Sequence, residues 1–483
     1  MNYSQFLEMM PEAFLVLELL VIFVADFCLT KSEAKAQKLG YITTGALLLQ
    51  TCLMFGILQP TEAFGGMYVT SQMVNVMKII LTFGTLIVVV MAQPWVEKTQ
   101  KLAGEFYMLV LSTLLGMYVM MSSGHFLLFF LGLEMASVPM ACLVAFDKWK
   151  KDSAEAAAKY ILTATFSSGV MLYGISFVYA ATGTLYFDDV ATKLSAATQQ
   201  TTPALAILGL VFFFSGLGFK ISLVPFHFWT ADTYQGAPTP VTGYLSVVSK
   251  GAAALTLAII LMKAFASMAA YWEPMLYIVI VLSITIANLF AIRQTELKRF
   301  MAFSSISQAG YIMLAVIGNS QLGVAALTFY VLVYVVANMA VFTVISTVEQ
   351  NGGNTQMSCY NGLYQTNPKL ALLMTIALFS LAGIPPFAGM FSKFFVFLAA
   401  VGGHESAPFW PYFVVFVALI NTVVSLYYYL LIVKAMYIKA EEHPLPTFAT
   451  EPSTRISLAV CTAGILLFGV CSCIYEWIAA AAL

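Results

Sequence analysis

The chain has 483 residues, of which 61% are hydrophobic and only 9% charged, whereas a typical soluble protein is about a quarter charged. So little charge cannot coat a water-facing surface of this size, which places the chain in lipid. A net charge of −1 excludes an electrostatic role on nucleic acid, and seven cysteines without a CxxC pair, beside four scattered histidines, offer no metal, iron–sulfur or redox framework.

The first apolar run carries Glu8 and Glu12 at its flank and no Lys or Arg, and it is too long for the core of a cleaved signal. It is expected to be a retained transmembrane helix. A bilayer core of about 30 Å needs about 20 apolar residues per helix. About fourteen stretches qualify, near 11–29, 39–58, 74–93, 105–121, 125–146, 154–182, 203–235, 238–262, 273–292, 299–317, 323–348, 369–400, 410–437 and 455–480. The fold class expected is therefore all-α integral membrane. Cysteines within these runs read as small core residues.

The basic residues orient the chain. With the N-terminus outside, the inner loops hold Lys31, Lys35, Lys38, Lys98, Lys101, Lys148, Lys150, Lys151, Arg293, Lys298, Arg299, Lys369, Lys434, Lys439 and Arg455, and the outer loops only Lys193 and Lys263. This is the positive-inside pattern, and it predicts both termini on the non-cytoplasmic side. Of the 22 Lys and Arg residues, the remaining five fall inside the stretches: Lys78, Lys159, Lys220, Lys250 and Lys393. A charge at mid-bilayer costs about 2.5–3.5 kcal/mol on insertion scales.

Taken in chain order, Glu18 and Asp26 lie in the first stretch, where they are candidates to face a partner subunit. Lys78, near the outer end of the third, reads best as structural. Glu134 lies ten residues into a 22-residue stretch, where a lone carboxylate takes up a proton or seeks a cation, with Lys220 or Lys159 as its partner in type. Lys159 sits near the cytoplasmic end of its stretch and is placed either to snorkel or to carry a proton. Lys220 stands in FFFSGLGFKISLVPFHFW, where Pro225 breaks the helix and frees a carbonyl near Ile221. A broken helix in the membrane is tolerated where it lines a buried or watery cavity. His227 comes two residues after the break and could bridge Lys220 to Lys250; the alternative is a satisfied core histidine.

Lys250 lies ten residues beyond the Pro238–Pro240 helix start, about 15 Å deep, beyond reach of either surface. Lys393 lies after a second break, FSLAGIPPFAGMFSKFF, with Pro385 and Pro386. The two broken stretches share Phe-Ser openings, a Pro-Phe pair and one lysine, and they run in opposite senses across the membrane. Such pairs point to inverted-repeat transport units. For Lys250 the rival reading is a structural amine bonded to backbone carbonyls, and for Lys220 a kinked packing helix. A carboxylate close to a buried amine favours its protonated form, and separating the two, or bringing up another cation, favours release. Separation in low dielectric changes energies by several kcal/mol, comparable with about 2.3 kcal/mol per charge per 100 mV of membrane potential.

FKISLVPFHFWTADTYQGAPTPVTGYLSVVSK resembles the core of the antiporter-like subunits of respiratory complex I and of multisubunit cation/proton antiporters. The stretches EAAAKYILTATFSSGVMLYG, ELKRFMAFSSISQAGYIMLA and AGIPPFAGMFSKFFVF agree with it, so the resemblance spans roughly the fourth to thirteenth helices; the first three carry no matching motif. It implies a fourteen-helix fold with two inverted five-helix repeats, broken at helices seven and twelve. The implied parts are residues 1–104 (three N-terminal helices), 105–262 and 263–440 (the repeats), and 441–483 (helix fourteen). It also implies proton translocation along an axis made by Glu134, Lys220, Lys250 and Lys393, coupled to quinone reduction elsewhere in an NADH-quinone oxidoreductase. Quinone, flavin and iron–sulfur clusters belong to partner subunits and no cofactor to this chain. The partners implied are M-type, K-type and L-type neighbours in a bacterial inner membrane. Lysine at 393 and a chain that ends soon after its last stretch favour the N-type subunit over the M-type, which carries glutamate there, and the longer L-type. The rival functions are a subunit of a cation/proton antiporter or membrane-bound hydrogenase, or a free-standing solute transporter, against which no further midplane polar cluster is found.

Overall fold

The computed structural model describes residues 3–29, 34–99, 102–198, 204–402, 409–439 and 445–482. Lys31 and Lys101 of the expected inner loops, the first residue of the 203–235 stretch and the 440/441 boundary lie outside the described residues. Helices α1 (Met10–Cys28) and α2 (Lys35–Met54) lead to a two-residue antiparallel pair, Glu62–Ala63 with Tyr68–Val69. Next come α3 (Gln72–Thr99), α4 (Ala103–Met121), α5 (Phe126–Val144), α6 (Lys151–Thr182) and α7 (Phe187–Thr198). The seventh stretch is two helices, α8 (Ala204–Ile221) and α9 (Phe228–Gly236). The eighth is α10 (Thr239–Tyr244), a π-helical turn at Leu245–Ser249, and α11 (Lys250–Lys263). The chain continues through α12 (Ala269–Ile292), α13 (Leu297–Ile317), α14 (Gln321–Gln350), α15 (Leu363–Thr366), α16 (Pro368–Ala382), α17 (Ala388–Gly402), α18 (Phe409–Tyr437), α19 (Pro452–Val470) and α20 (Cys473–Ala482).

Among the described residues, eleven helical segments are long and apolar enough to cross a membrane, with shorter apolar helices at Pro368–Ala382, Ala388–Gly402 and Cys473–Ala482. The bundle has an inside and an outside. The apolar windows of α13 and α14 are 100% buried, whereas those of α6, α18 and α19 are 33% buried and lie at the periphery. Both breaks appear where the prolines place them. α8 ends at Ile221 before Pro225, and α16 ends at Ala382, where Gly383 at φ 89° takes the left-handed cap that a side chain resists. Pro225 and Pro386 follow cis peptide bonds.

Two features differ from the sequence expectation. Residues 187–198 form a helix whose Phe187, Val190 and Leu194 are buried, an i, i+3, i+7 stripe too short and polar to read as a span. The cysteines are not mostly core: Cys461 is buried, but Cys28, Cys52, Cys142 and Cys473 are exposed. In hydrocarbon a small apolar side chain gains no solvent-driven advantage from burial, so the aqueous rule fails.

The site is held at its Glu134 end by close contact of α4 with α5. A Cβ on Gly116 would sit 2.4 Å from the Ala136 nitrogen, and one on Gly132 would sit 2.4 Å from the Met120 nitrogen. These are backbone atoms that cannot rotate away, so the small residues set the interhelical distance. Gly132→Ala is expected to destabilise the subunit by about 1–3 kcal/mol. The measurement is heat-induced loss of assembled complex in detergent, and an unchanged midpoint would show that the helices separate freely.

Candidate functional site

Three buried lysines anchor the site: Lys220 and Lys393 are 4% exposed and Lys250 is 1% exposed. Lys220 lies in the last turn of α8, directly before the break. Its ammonium donates to Ser137 Oγ at 2.8 Å and to the Tyr160 hydroxyl at 3.3 Å. Ser137 is three residues after Glu134 on α5 and therefore on the same face. Glu134 does not pair directly with Lys220; its Oε1 is buried without a hydrogen-bond partner, and the serine hydroxyl stands beside the amine instead. Glu134 borders the outward face of α5, where Leu127, Leu131 and Val138 are exposed.

The break is stitched by side chains. The Trp229 indole donates to Phe219 O at 3.0 Å, filling a carbonyl at the end of α8, and the Val224 amide donates to Ser283 Oγ at 2.9 Å. Helix α9 then reaches across the site. Trp229 packs on Tyr160 with ring centroids 5.2 Å apart, and the Tyr234 hydroxyl lies 3.3 Å from Ser305 Oγ. Ser305 also accepts from Lys250 Nζ at 2.7 Å, with the amine 5.4 Å from the Tyr234 ring centroid. Helix α9 thus joins the Lys220 and Lys250 neighbourhoods. Along it and the break lie buried polar atoms without a protein partner: Ser222 Oγ, His227 Nδ1, Thr230 Oγ1 and Thr233 Oγ1, with Ser249 Oγ beside Lys250. Such groups are what internal water bonds to. His227 is buried and hydrogen-bonds neither lysine.

Lys250 enters α11 directly after the π-helical turn, and such turns cluster at functional sites. On its far side Asn338 donates to Ser246 Oγ at 2.6 Å, and the Tyr334 hydroxyl is buried without a partner. Tyr334, Tyr330, Gln308, Ser380, Ser392 and Lys393 line a cavity of about 10 Å³, room for about one water. Tyr330 donates to Gln308, and Gln308 donates to Tyr429 at 3.3 Å. Lys393 Nζ lies 4.9 Å from the Tyr311 ring centroid and donates to Ala382 O at 3.0 Å, where α16 ends at the second break. There the amine meets the negative end of a half-helix.

Lys159 stands apart. It is 45% exposed and pairs with Glu155 and Asp232, both at 2.8 Å. Arg299 reaches Asp232 at 2.7 Å, and the four charges border a cavity of about 330 Å³. The snorkelling alternative describes this geometry; among the described residues no hydrogen bond joins Lys159 to Glu134 or Lys220. Lys298, assigned to an inner loop, is buried and donates to Ala237 O at 2.9 Å between α9 and α10.

The N-terminal helices hold a further buried ionic cluster that sequence reasoning divided. Lys78 is 0% exposed and pairs with Glu12 at 2.7 Å. Tyr68 donates to Glu12 Oε2 at 2.8 Å, and Lys78 donates to the Tyr68 hydroxyl at 3.3 Å. Glu12 read as a flank, and only an i, i+66 partnership across helices reveals it. Of the two acids proposed to face a partner, Asp26 pairs with Lys35 at 2.9 Å, and Glu18 is buried with Oε2 unpartnered.

The Ser, Tyr and Lys groups around α9 and the second break are buried polar groups inside the bundle, with amines that can gain or lose protons. Residues 123–425, which contain Glu134, Lys159, Lys220, His227, Lys250 and Lys393, match the family described as NADH:quinone oxidoreductase/Mrp antiporter, transmembrane. NADH-quinone oxidoreductase subunit N of Phocaeicola vulgatus is 56% identical over 481 residues, 99% of this chain and 98% of that protein. A chain of respiratory complex I from Thermus thermophilus, solved with bound aureothin, superposes with a TM-score of 0.78 at 31% identity, covering 95% of this chain and 97% of that one. A chain of the Mrp complex from Dietzia sp. matches with a TM-score of 0.82 at 20% identity over 99% of this chain and 97% of that one, a likeness of fold alone. The chain belongs to the antiporter-like family of NADH:quinone oxidoreductase and Mrp membrane subunits and, within it, to the N subunits of NADH-quinone oxidoreductase.

Proposed function

We propose that the chain is a proton-translocating membrane subunit of a bacterial NADH-quinone oxidoreductase, carrying protons between Glu134, Lys220, Lys250 and Lys393 while the redox chemistry proceeds on partner subunits. The observation that carries this reading is the burial of three lysines, each no more than 4% exposed, on hydroxyl or carbonyl acceptors inside the bundle. A purely structural ammonium calls for acceptors at all three of its donors. Among the described residues Lys250 and Lys393 have one hydrogen-bond acceptor each, and the Ser249 hydroxyl beside Lys250 and the Tyr334 hydroxyl in the Lys393 cavity are without a protein partner. In this scheme the Ser137 and Tyr160 hydroxyls hold the Lys220 ammonium, and Ser305 and Tyr234 hold that of Lys250. Displacing any one of these charges alters the hold of the next on its proton. His227 and water beside Thr230 and Thr233 complete the transfer across α9. Lys159, tied to Asp232 at the rim, delivers protons to the buried lysines rather than storing them.

The proposal extends to the division into residues 1–104, 105–262, 263–440 and 441–483, with the two central parts inverted repeats. It places both termini on the periplasmic side and fourteen crossings in all, with M-type, K-type and L-type subunits as neighbours. Quinone, flavin and iron–sulfur clusters reside on partner subunits. An affinity-tagged chain drawn from gently solubilised membranes is expected to bring NADH-quinone reductase activity with it. Recovery of cation/proton exchange without NADH oxidation would instead favour the antiporter assembly. Within the active complex, Lys250→Met is expected to lower proton uptake into inverted vesicles at least about tenfold, and normal uptake would remove Lys250 from the path.

A further inference from the structure

A slot of about 560 Å³ opens between the first turns of α16 and α19, away from the buried lysines. Lys369 and Arg455 line it, and so do Leu370, Leu373, Phe448 and Leu458. Both cations are exposed, and neither has a carboxylate within ion-pair reach among the described residues. The Arg455 Nε donates to Thr450 Oγ1 at 3.0 Å, which orients the guanidinium, and its other donors have no partner among the described residues. The order of residues along the helices gives the slot a polarity. Leu373 lies four residues after Lys369 on α16, and Leu458 three residues after Arg455 on α19, so each leucine shares a face with a cation about one turn deeper. Charge stands at the boundary and hydrocarbon-matching surface below it.

We infer that this slot holds an anionic phospholipid, its phosphodiester between Lys369 and Arg455 and an acyl chain along Leu370, Leu373 and Leu458. Free phosphate would satisfy the two cations and leave the leucine-lined depth unused. A zwitterionic lipid would bring its own cation toward two others. The amphiphile with one net negative charge matches both ends. Clusters of cations beside a membrane segment are a recognised signature of anionic headgroups.

The test uses the detergent-purified complex and phosphatidylglycerol carrying a photoactivatable group in its acyl chain. Labelling is expected on peptides covering 366–373 or 447–459, with about thirtyfold preference over the phosphatidylcholine analogue. The double variant Lys369→Gln/Arg455→Gln changes two exposed side chains, so the fold is unaffected; it is expected to bring the preference within about threefold. Leu373→Trp, which fills the depth and keeps both cations, is expected to suppress labelling by both lipids. Equal labelling by phosphatidylcholine, unchanged preference in the double variant, or full displacement by millimolar inorganic phosphate would overturn the assignment. No labelling of these peptides in the complex would overturn it too, and would assign the slot to a neighbouring subunit.

Discussion

Lys220→Arg in the assembled complex is expected to lower proton uptake per NADH oxidised at least about tenfold while leaving the amount of assembled complex near normal. The substitution separates two roles that Lys220→Ala would confuse. Alanine removes the charge and the donor together, and leaves Ser137 and Tyr160 without their partner. Arginine keeps a positive charge and can still donate to both hydroxyls, so a merely structural cation would be replaced adequately. A guanidinium, however, does not give up its proton at any accessible pH. A site that holds a fixed cation tolerates arginine; a site that hands protons on does not. The comparison is made with inverted membrane vesicles, reading dye-reported acidification against NADH oxidation, with native gels for assembly. Acidification by Lys220→Arg equal to that of the parent would show that Lys220 holds charge without transferring protons.

The second large effect falls on Glu12 and Lys78. Removing one member of a fully buried ion pair leaves the other charged and unpaired, at a cost of about 3–5 kcal/mol. Lys78→Met and Glu12→Leu are each expected to reduce the assembled complex and its resistance to heat in detergent by an amount of that order. The double variant Lys78→Met/Glu12→Leu is expected to recover most of the loss, because an apolar pair of similar volume often replaces a buried ion pair at little cost. The residual deficit reflects the Tyr68 hydroxyl, which loses its acceptor. The cycle measures the coupling directly. Additive losses in the double variant would mean that the 2.7 Å contact contributes nothing beyond its separate parts.

The cost of each residue in hydrocarbon decided which parts of this protein were legible. Lys220, Lys250 and Lys393 stood out because a charge at mid-membrane is expensive, and all three are buried where the spans place them. The two breaks were legible because proline removes a helical hydrogen bond and here stands with glycines on the same stretch, whereas Pro94, Pro139 and Pro274 sit inside unbroken helices. Ser137, Tyr160, Tyr234 and Ser305 were invisible: a serine or tyrosine in a transmembrane helix costs little, bonds its own backbone when unneeded, and gives no sign of which amine it serves. Glu12 was misplaced because helix ends are soft by a few residues, and its partner lies 66 residues away. Lys220 was legible as a partner of Glu134 only in type; the contact with the amine is made by Ser137, three residues along α5. The π-helical turn has no sequence signal, because the apolar window of Thr239–Lys263 is 89% buried and so has no one-sided stripe whose phase an extra residue would shift.

That turn also fixes the azimuth of helix α11. An α-helix advances about 100° per residue, so one surplus residue rotates every later side chain on α11 by roughly that angle about the axis. Closing Leu245–Ser249 into a regular α-helical turn with every residue kept would swing the Lys250 ammonium away from Ser305 without altering a single charge. The compass bearing of the lysine, and not its depth alone, is therefore written into the backbone.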